Sequence, residues 1–406
     1  SLSVLGASLI IFLSGLYLNI KTPISCFKIC YLNNGYVLLN PPSKFLEESV
    51  FNLVISLYND NISMIEFCGK EILPDIMLKV IKYLEEFSKK FNDFCYLIKK
   101  DNIIKEKKFI NIEVNEINNY LIENILIKNK IINTYKIINK SFKNVNMSKF
   151  DKVCLDEVCN FFSDIFIGFD NLYLKVIKKR IYKIKKNIFR ELIIKLKARL
   201  DGRKYYYIRD LEIESNVLPR SHGSSLFTRG ETQALVVTTI GTEKDEQKTD
   251  DIEKEDYKKT MLQYNFFQFS VGELKINKSS SRREIGHGAL AEKSIYKILE
   301  IKNLKNTIRI VSEILESNGS SSMATVCGSS VSIKNSGLKI IRDIVGIAVG
   351  AFSDRNEIIL LDISGEEDHF GDMDFKFCST NKGIVSIQMD IKNKGISFNF
   401  FKDVIY

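Results

Sequence analysis

The chain has 406 residues and a mass of 46.7 kDa, with 45% hydrophobic and 27% charged residues; this excludes a disordered polymer and fits two or three folded units. Fifty-nine Lys and Arg against 50 Asp and Glu leave a formal charge of +9, which suits a polyanionic partner without identifying one. Eight Cys with no pair of CxxC hooks and three His argue against a disulfide scaffold and a multi-histidine metal site, so buried reduced thiols are expected.

The first twenty residues, SLSVLGASLIIFLSGLYLNI, carry no charge. Hydropathy alone would make them a membrane helix or a signal sequence. No basic flank precedes the run, and Ser3, Gly6, Ser8, Ser14 and Gly15 interrupt it, so a buried core helix is expected. Up to residue 75 short apolar runs alternate with turns, which predicts strands after that helix. From 76 to 200 Gly disappears apart from Gly168, and Ile177, Ile181, Ile184, Ile188, Leu192 and Leu196 recur at helical spacing, so an all-helical domain is predicted. Residues 171–200 hold eleven Lys and Arg and one acid, Glu191. That stretch is either the solvated face of an amphipathic helix or a surface that meets nucleic acid.

Asp201–Arg203 opens a third segment, 201–406, rich in Gly, Ser and β-branched strands. Ser221–Thr242 reads as a hairpin with Arg229 and Gly230 near its turn, and Thr242–Thr260 as an exposed charged loop leading into a helix. Both ends read as cut, so a piece of a longer protein is expected.

A shift of 322 positions lays SVLGASLIIFLSGL (from Ser3) on TVCGSSVSIKNSGL (from Thr325) and VFNLVISLYNDNISMIE on DMDFKFCSTNKGIVSIQ, without gaps. This implies two copies of one α/β fold with a helical domain between them. The opening apolar run is then the partner of an ordinary soluble helix, and the membrane reading falls away.

Three stretches carry candidate chemistry. DISGEEDHFGDMDFK packs six carboxylates, Asp362, Glu366, Glu367, Asp368, Asp372 and Asp374, into thirteen residues. A strand over MDFKF would set Asp372, Asp374 and Lys376 on one face, offering hard oxygens to Mg²⁺ or Mn²⁺ beside an ammonium suited to a phosphoryl centre. ESNGSSSMATVCG opens a helix with Ser320, Ser321 and Ser322, whose hydroxyls and free amides could bind an anion or simply cap the helix. SSSRREIGHG places Arg282 and Arg283 in a Ser-rich loop ahead of a helix, with His287 between two glycines. Guanidinium forks there would match phosphate. Together these point to phosphoryl-transfer chemistry on a nucleotide or nucleic acid.

The strings LDGR, SHGSSLFTRGETQALV, YNFFQFSVGE, RREIGHG, VSEILESNGSSSMATVCG, VGIAVG, EEDHFGDMDFK and SIQMDIK occur in this order. Over residues 201 to about 396 the chain resembles the second RNase PH-type core of the polynucleotide phosphorylases. The flanks look like that family's helical domain and the end of its first core. The resemblance implies an α+β protein with two RNase PH-type (ribosomal protein S5 domain 2-like) cores. Residues 1–75 would be the end of the first core, 76–200 the helical domain and 201–406 the second, catalytic core.

It further implies a phosphorolytic 3′-to-5′ exoribonuclease that releases nucleoside diphosphates and runs backwards as a template-free polymerase. Asp368 and Asp374 would hold Mg²⁺ or Mn²⁺, with Lys376 beside them. Ser321 and Ser322 would bind inorganic phosphate, the co-substrate, and Arg282, Arg283 and His287 would contact phosphate or the RNA 3′ end. Single-stranded RNA, a homotrimeric ring, partners in RNA degradation and a bacterial-type cytoplasm or an organelle complete the picture, with no membrane. The alternatives are a tRNA-trimming phosphorolytic ribonuclease and a non-catalytic RNA-binding or ring-scaffold subunit. Under the 322 shift Asp368, Asp374 and Lys376 fall on Leu46, Asn52 and Val54, so the first copy is expected to be structural or RNA-guiding. The family's first-core front and its C-terminal KH and OB-type domains are expected outside this stretch. The loop KINKSSS departs from the family's Gly and Pro there.

Overall fold

The computed structural model describes residues 1–14, 22–101, 201–250, 255–274, 281–299, 306–353 and 357–406, with ten single positions between 182 and 199. The chain divides into two compact units, Ser1–Phe109 with Ile208–Tyr406, and Ile110–Tyr207. Most of the second unit, and with it most of the basic stretch 171–200, lies outside the described residues. Within that unit Phe189, Ile193 and Arg199 are buried, Tyr205 donates to the Ile193 carbonyl at 2.7 Å, and Arg199 and Arg203 both donate to the Tyr207 carbonyl.

The first unit begins with helix α1 (Leu2–Leu13), followed by strands β1 (Ser25–Tyr31) and β2 (Val37–Leu39), the short helix α2 (Ser43–Glu48), β3 (Phe51–Tyr58), β4 (Asn61–Ile72) and the long helix α3 (Pro74–Asp101). Pro74 starts α3 where no amide is needed, Asp75 sits in its first turn, and Lys99 and Lys100 sit in its last, all in keeping with the helix dipole. After Ile208 come β5 (Leu211–Ser215), β6 (Gly223–Arg229), β7 (Thr232–Gly241), β8 (Gln247–Asp250), β9 (Glu255–Lys258), β10 (Thr260–Phe266), helix α4 (Arg282–Ile298), β11 (Thr307–Glu316) and helix α5 (Ser321–Asn335). The chain ends with β12 (Val345–Phe352), β13 (Ile358–Leu361), the short helix α6 (Gly365–Phe370), β14 (Met373–Ser379), β15 (Ile384–Ile391) and α7 (Phe398–Ile405).

Eight strands form one antiparallel sheet in the order β13-β12-β14-β15-β4-β3-β1-β2, and five form a second in the order β10-β11-β7-β6-β5. In the larger sheet a shift of 322 carries β2, β1, β3 and β4 onto β13, β12, β14 and β15, and carries Ser43–Glu48 onto Gly365–Phe370, so the order reads the same inward from either edge. Phe51, Leu53, Ile55 and Leu57 alternate along β3 toward one face, where they pack with Met373 and Phe375 of β14 against Met77, Ile81 and Leu84 of α3 and Phe400, Phe401 and Val404 of α7. Helices α4 and α5 join the other core, with Ile308 and Ile310 of β11, Val236 of β7 and Cys378 of β14. Gly328 lets α5 lie close on the smaller sheet, since a Cβ there would come within 2.8 Å of Val236.

Three local expectations are corrected. Helix α1 forms over the opening apolar run but is not a buried core helix: Phe12 is its one buried residue, while Leu2, Val4 and Ile10 are exposed, because its apolar residues ring the helix instead of forming one face. The charged stretch after Thr242 forms a short 3₁₀ turn (Glu243–Asp245) and then β8 paired with β9, with Lys248 and Glu255 2.8 Å apart, and it leads into strand β10 rather than directly into a helix. Its Thr, Tyr and charged residues alternate without a buried face, so hydrophobic patterning gave no strand signal. Arg282 and Arg283 are the first residues of α4 itself, with Ser281 as its N-cap. Among the described residues no helix is long and apolar enough to cross a membrane.

Candidate active site

The start of α5 is built from strained backbone. Gly319 (φ 91°) and Ser320 (φ 60°) are both left-handed; a side chain at 319 would put its Cβ 2.7 Å from the Gly365 amide. Ser321 and Ser322 then occupy the first helical turn, both fully buried. The Ser321 hydroxyl lies 2.7 Å from the Tyr264 hydroxyl of β10, and the Ser322 hydroxyl is buried without a hydrogen-bond partner. Amides at such a helix start precede the first intrahelical bonds, so this is a pocket of donors.

Helix α4 brings a second group. Ser281 and Glu284 form a reciprocal capping box, and Glu284 also accepts from the Phe266 amide at 2.9 Å. Arg282 and Arg283 are exposed on the first turn, and the Arg283 guanidinium lies 4.6 Å from the Phe266 ring centre. Two cations at a helix N-terminus oppose the dipole, an arrangement an anion would relieve. One turn on, His287 meets the edge of Tyr264 with ring centres 5.6 Å apart, and its Nδ1 is buried without a partner. Burial first, then the charges of Lys376 and Arg283, push His287 down to about 3. It is therefore neutral at physiological pH. Burial pushes the Tyr264 hydroxyl up to about 12, so it stays a proton donor.

The third group stands on β14. Asp374 and Lys376 share a strand face, with Nζ 2.9 Å from Oδ2, and Lys376 is buried. Across the ladder they oppose Asp390 and Gln388 of β15. Burial raises the Asp374 carboxyl above its ordinary range; Lys376 pulls it down, while Asp368 and Asp390 push it further up. Asp368, in α6, is held by Lys392 at 3.1 Å.

Of the six clustered carboxylates, three are structural. Asp362 is fully buried between Arg209 and Arg229, Glu367 closes the capping box of α6 with Ser364, and Asp372 accepts from the Ser353 amide. Asp372 precedes the strand and does not continue the Asp374–Lys376 face as the two-residue period suggested. Among the described residues no three Asp, Glu, His or Cys side chains close on one point. Two carboxylates with water completing the shell is the usual protein share of a Mg²⁺ site. A buried carboxyl raised by neighbouring like charge gains from a cation, so Asp368 and Asp374 fit a hard divalent ion.

The structure thus joins Ser321 to His287 through Tyr264, and puts Lys376 within electrostatic reach of His287. Sequence reasoning missed Tyr264, Asp390, Gln388 and Arg209, and placed Arg229 only beside a hairpin turn. Tyr264 could have been found, since Thr260, Leu262, Tyr264 and Phe266 alternate inward along β10. The pairing of the two arginines could not, because their partner Asp362 is more than 130 residues away in sequence.

Residues 207–339 match the profile of the 3′ exoribonuclease family, domain 1, the RNase PH class of α/β proteins. The whole chain is 38% identical over 418 residues to a polyribonucleotide nucleotidyltransferase of Thermodesulfovibrio yellowstonii, covering 57% of that protein. It is 39% identical over 411 residues to the enzyme of that name from Wigglesworthia glossinidia brevipalpis (97% of this chain, 55% of the relative), and 40% over 375 residues to that of Wolbachia pipientis from Culex pipiens (91% and 47%). By sequence the chain is thus similar to polyribonucleotide nucleotidyltransferases along nearly its whole length, and it spans about half the length of these curated relatives. Among solved structures rice Rrp46 aligns with a TM-score of 0.42 at 15% identity, over 51% of this chain and 91% of that one.

Proposed function

We propose that the protein is a phosphorolytic 3′-to-5′ exoribonuclease, in which residues 201–406 form the catalytic RNase PH-type core. Residues 1–75 are read as the end of a first, non-catalytic core, and 76–200 as a helical domain between them. The repeated element order and the palindromic strand order of the larger sheet support two copies of one fold.

The observation that carries the catalytic reading is that Tyr264 and His287 link a donor-rich helix start to a buried ammonium, which is itself paired with a raised carboxylate. In this reading Ser321, Ser322 and the first amides of α5 bind inorganic phosphate. Arg282 and Arg283 draw in the RNA 3′ end, and neutral His287 hydrogen-bonds a phosphoryl or ribose oxygen without adding charge. Lys376 offsets the negative charge that builds as a phosphate oxygen attacks the last phosphodiester and the 3′ oxygen of the preceding nucleotide leaves. Asp368 and Asp374 would hold a divalent cation, Mg²⁺ or Mn²⁺, which supplies Lewis acidity toward phosphoryl oxygens when bound. The product is a nucleoside diphosphate, and the near balance of bonds broken and made lets the reaction run in reverse. A homotrimeric ring, association with RNA-degrading partners and a bacterial-type cytoplasm go with the reading, the last supported by the bacterial source of the relatives.

The test is incubation of full-length protein with poly(A), Mg²⁺ and phosphate. Phosphate-dependent release of ADP is expected; AMP released without phosphate, or no product, would overturn the proposal.

A further inference from the structure

Three carbonyls in a row, at Asn318, Gly319 and Ser320, are each held by a side chain from the smaller sheet or its leading segment. Arg209 Nη1 donates to the Asn318 carbonyl at 2.7 Å, Thr232 Oγ1 to the Gly319 carbonyl at 3.1 Å, and Arg229 Nη2 to the Ser320 carbonyl at 3.1 Å. Thr232 Oγ1 also accepts from the Asn318 amide at 3.1 Å. The two guanidinium groups are locked in turn by Asp362. One of its oxygens takes the Arg209 amide and Nε, both at 2.9 Å, and the other lies 2.8 Å from Arg209 Nη2 and 2.9 Å from Arg229 Nε.

Asp362 begins the turn that leads into α6, which carries Asp368, and Asn318 Oδ1 accepts from Gly365 at the start of that helix. One buried cluster therefore grips the turns entering both α5 and α6. In a trans peptide the amide points opposite the preceding carbonyl. Pinning the carbonyls of 318–320 to the cluster thus turns the amides of 319–321 away from it. It also holds Ser320 in a left-handed conformation that a residue with a Cβ adopts at a cost.

The repeat supplies a control. Asn40 occupies the place of Asp362 in the first copy, with φ 48° against 50°, and takes the Lys28 amide instead of an arginine. The backbone bend alone needs no carboxylate, so the charge at 362 serves the cluster.

We infer that Arg209, Asp362, Arg229 and Thr232 are positioning residues that fix the Ser321–Ser322 anion site relative to Asp368. They act through the 318–320 turn. The inference rests on the phosphate-binding reading of Ser321 and Ser322.

The test uses full-length Thr232→Val, which is nearly isosteric and uncharged, and Arg209→Lys, which keeps the charge but loses the fork. Both are compared with Ser322→Ala in steady-state phosphorolysis of oligo(A). Thr232→Val and Arg209→Lys are each expected to raise KM for phosphate about tenfold, while the Kd for oligo(A) without phosphate stays within about twofold. Lower melting temperatures with unchanged phosphate KM, when Ser322→Ala does raise it, would reduce the cluster to a structural role and overturn the inference alone. An unchanged KM in Ser322→Ala would remove the phosphate reading itself, and the inference with it.

Discussion

In the C-terminal half of the larger sheet Asp374 and Lys376 face Asp390 and Gln388 across the ladder; in the N-terminal half the same positions hold Asn52 and Val54, facing Cys68 and Glu66. The opposite face is alike in both halves, with Met373 and Phe375 answering Phe51 and Leu53 beneath α3 and α7. The difference teaches that the face packed beneath α3 and α7 maintains the sheet, so it must stay apolar in both halves. The face toward α4 was free to gain charge in one half. Helices show the same division. Helix α5 buries eleven of its residues between two sheets, whereas its repeat partner α1 buries only Phe12.

The largest effect should come from the position proposed to hold the divalent cation. Asp374→Asn is expected to lower phosphate-dependent ADP release by about three orders of magnitude, whereas Asn52→Ala keeps turnover within about twofold. Comparable losses in both would break the comparison. Packing should behave oppositely, with no distinction between halves. Phe375→Ala should cost about 3–5 kcal/mol and Leu53→Ala about 2–5 kcal/mol, read from denaturant midpoints.

A smaller contrast lies at Asp362 and Asn40. Burial alone would raise the Asp362 carboxyl, but the hydrogen bond from Arg209 and the charges of Arg229 and Arg209 hold it at about 2, against an ordinary 3.8. The unfolded chain takes up the proton first, so this stability is complete above about pH 4 and is lost as pH falls toward 2. It amounts to about 2 kcal/mol. Wild type should show a steeper loss of stability than Asp362→Asn across that window, and parallel curves would disprove the linkage. The smallest effect is expected on α1. Val4→Ser, on an exposed face, should stay within about 0.5 kcal/mol of wild type, while Val326→Ser, fully buried at the matching place in α5, should cost about 2 kcal/mol or more.

Much of the frame was legible because its signals are local. The alternation in VFNLVISL, the Asn318-Gly319 turn and the apolar run of α1 each announce their element within a dozen residues. So were Asp374 and Lys376, two apart on a strand beside apolar neighbours. What stayed hidden depends on distant pairing. Nothing near Arg229 indicates that it meets Asp362, and nothing near Asp362 separates it from the neighbouring acids. Likewise the position of Arg282 and Arg283 inside α4 turned on a capping box at Ser281 and Glu284, masked by the run of serines before it.

The seam between the halves has a consequence for how the protein is made. Strand β4 pairs with β15, Ile72 meeting Ile384 and Phe67 meeting Ile387, more than 300 residues along the chain. During synthesis β4 leaves the ribosome long before its partner exists, with its outer backbone groups unpaired and Ile65 and Phe67 beside them. An open, apolar strand edge is a template for wrong partners. Closing so long a loop is also slow. The nascent segment that carries β4 therefore waits with an adhesive edge until β15, translated more than 300 residues later, seals it.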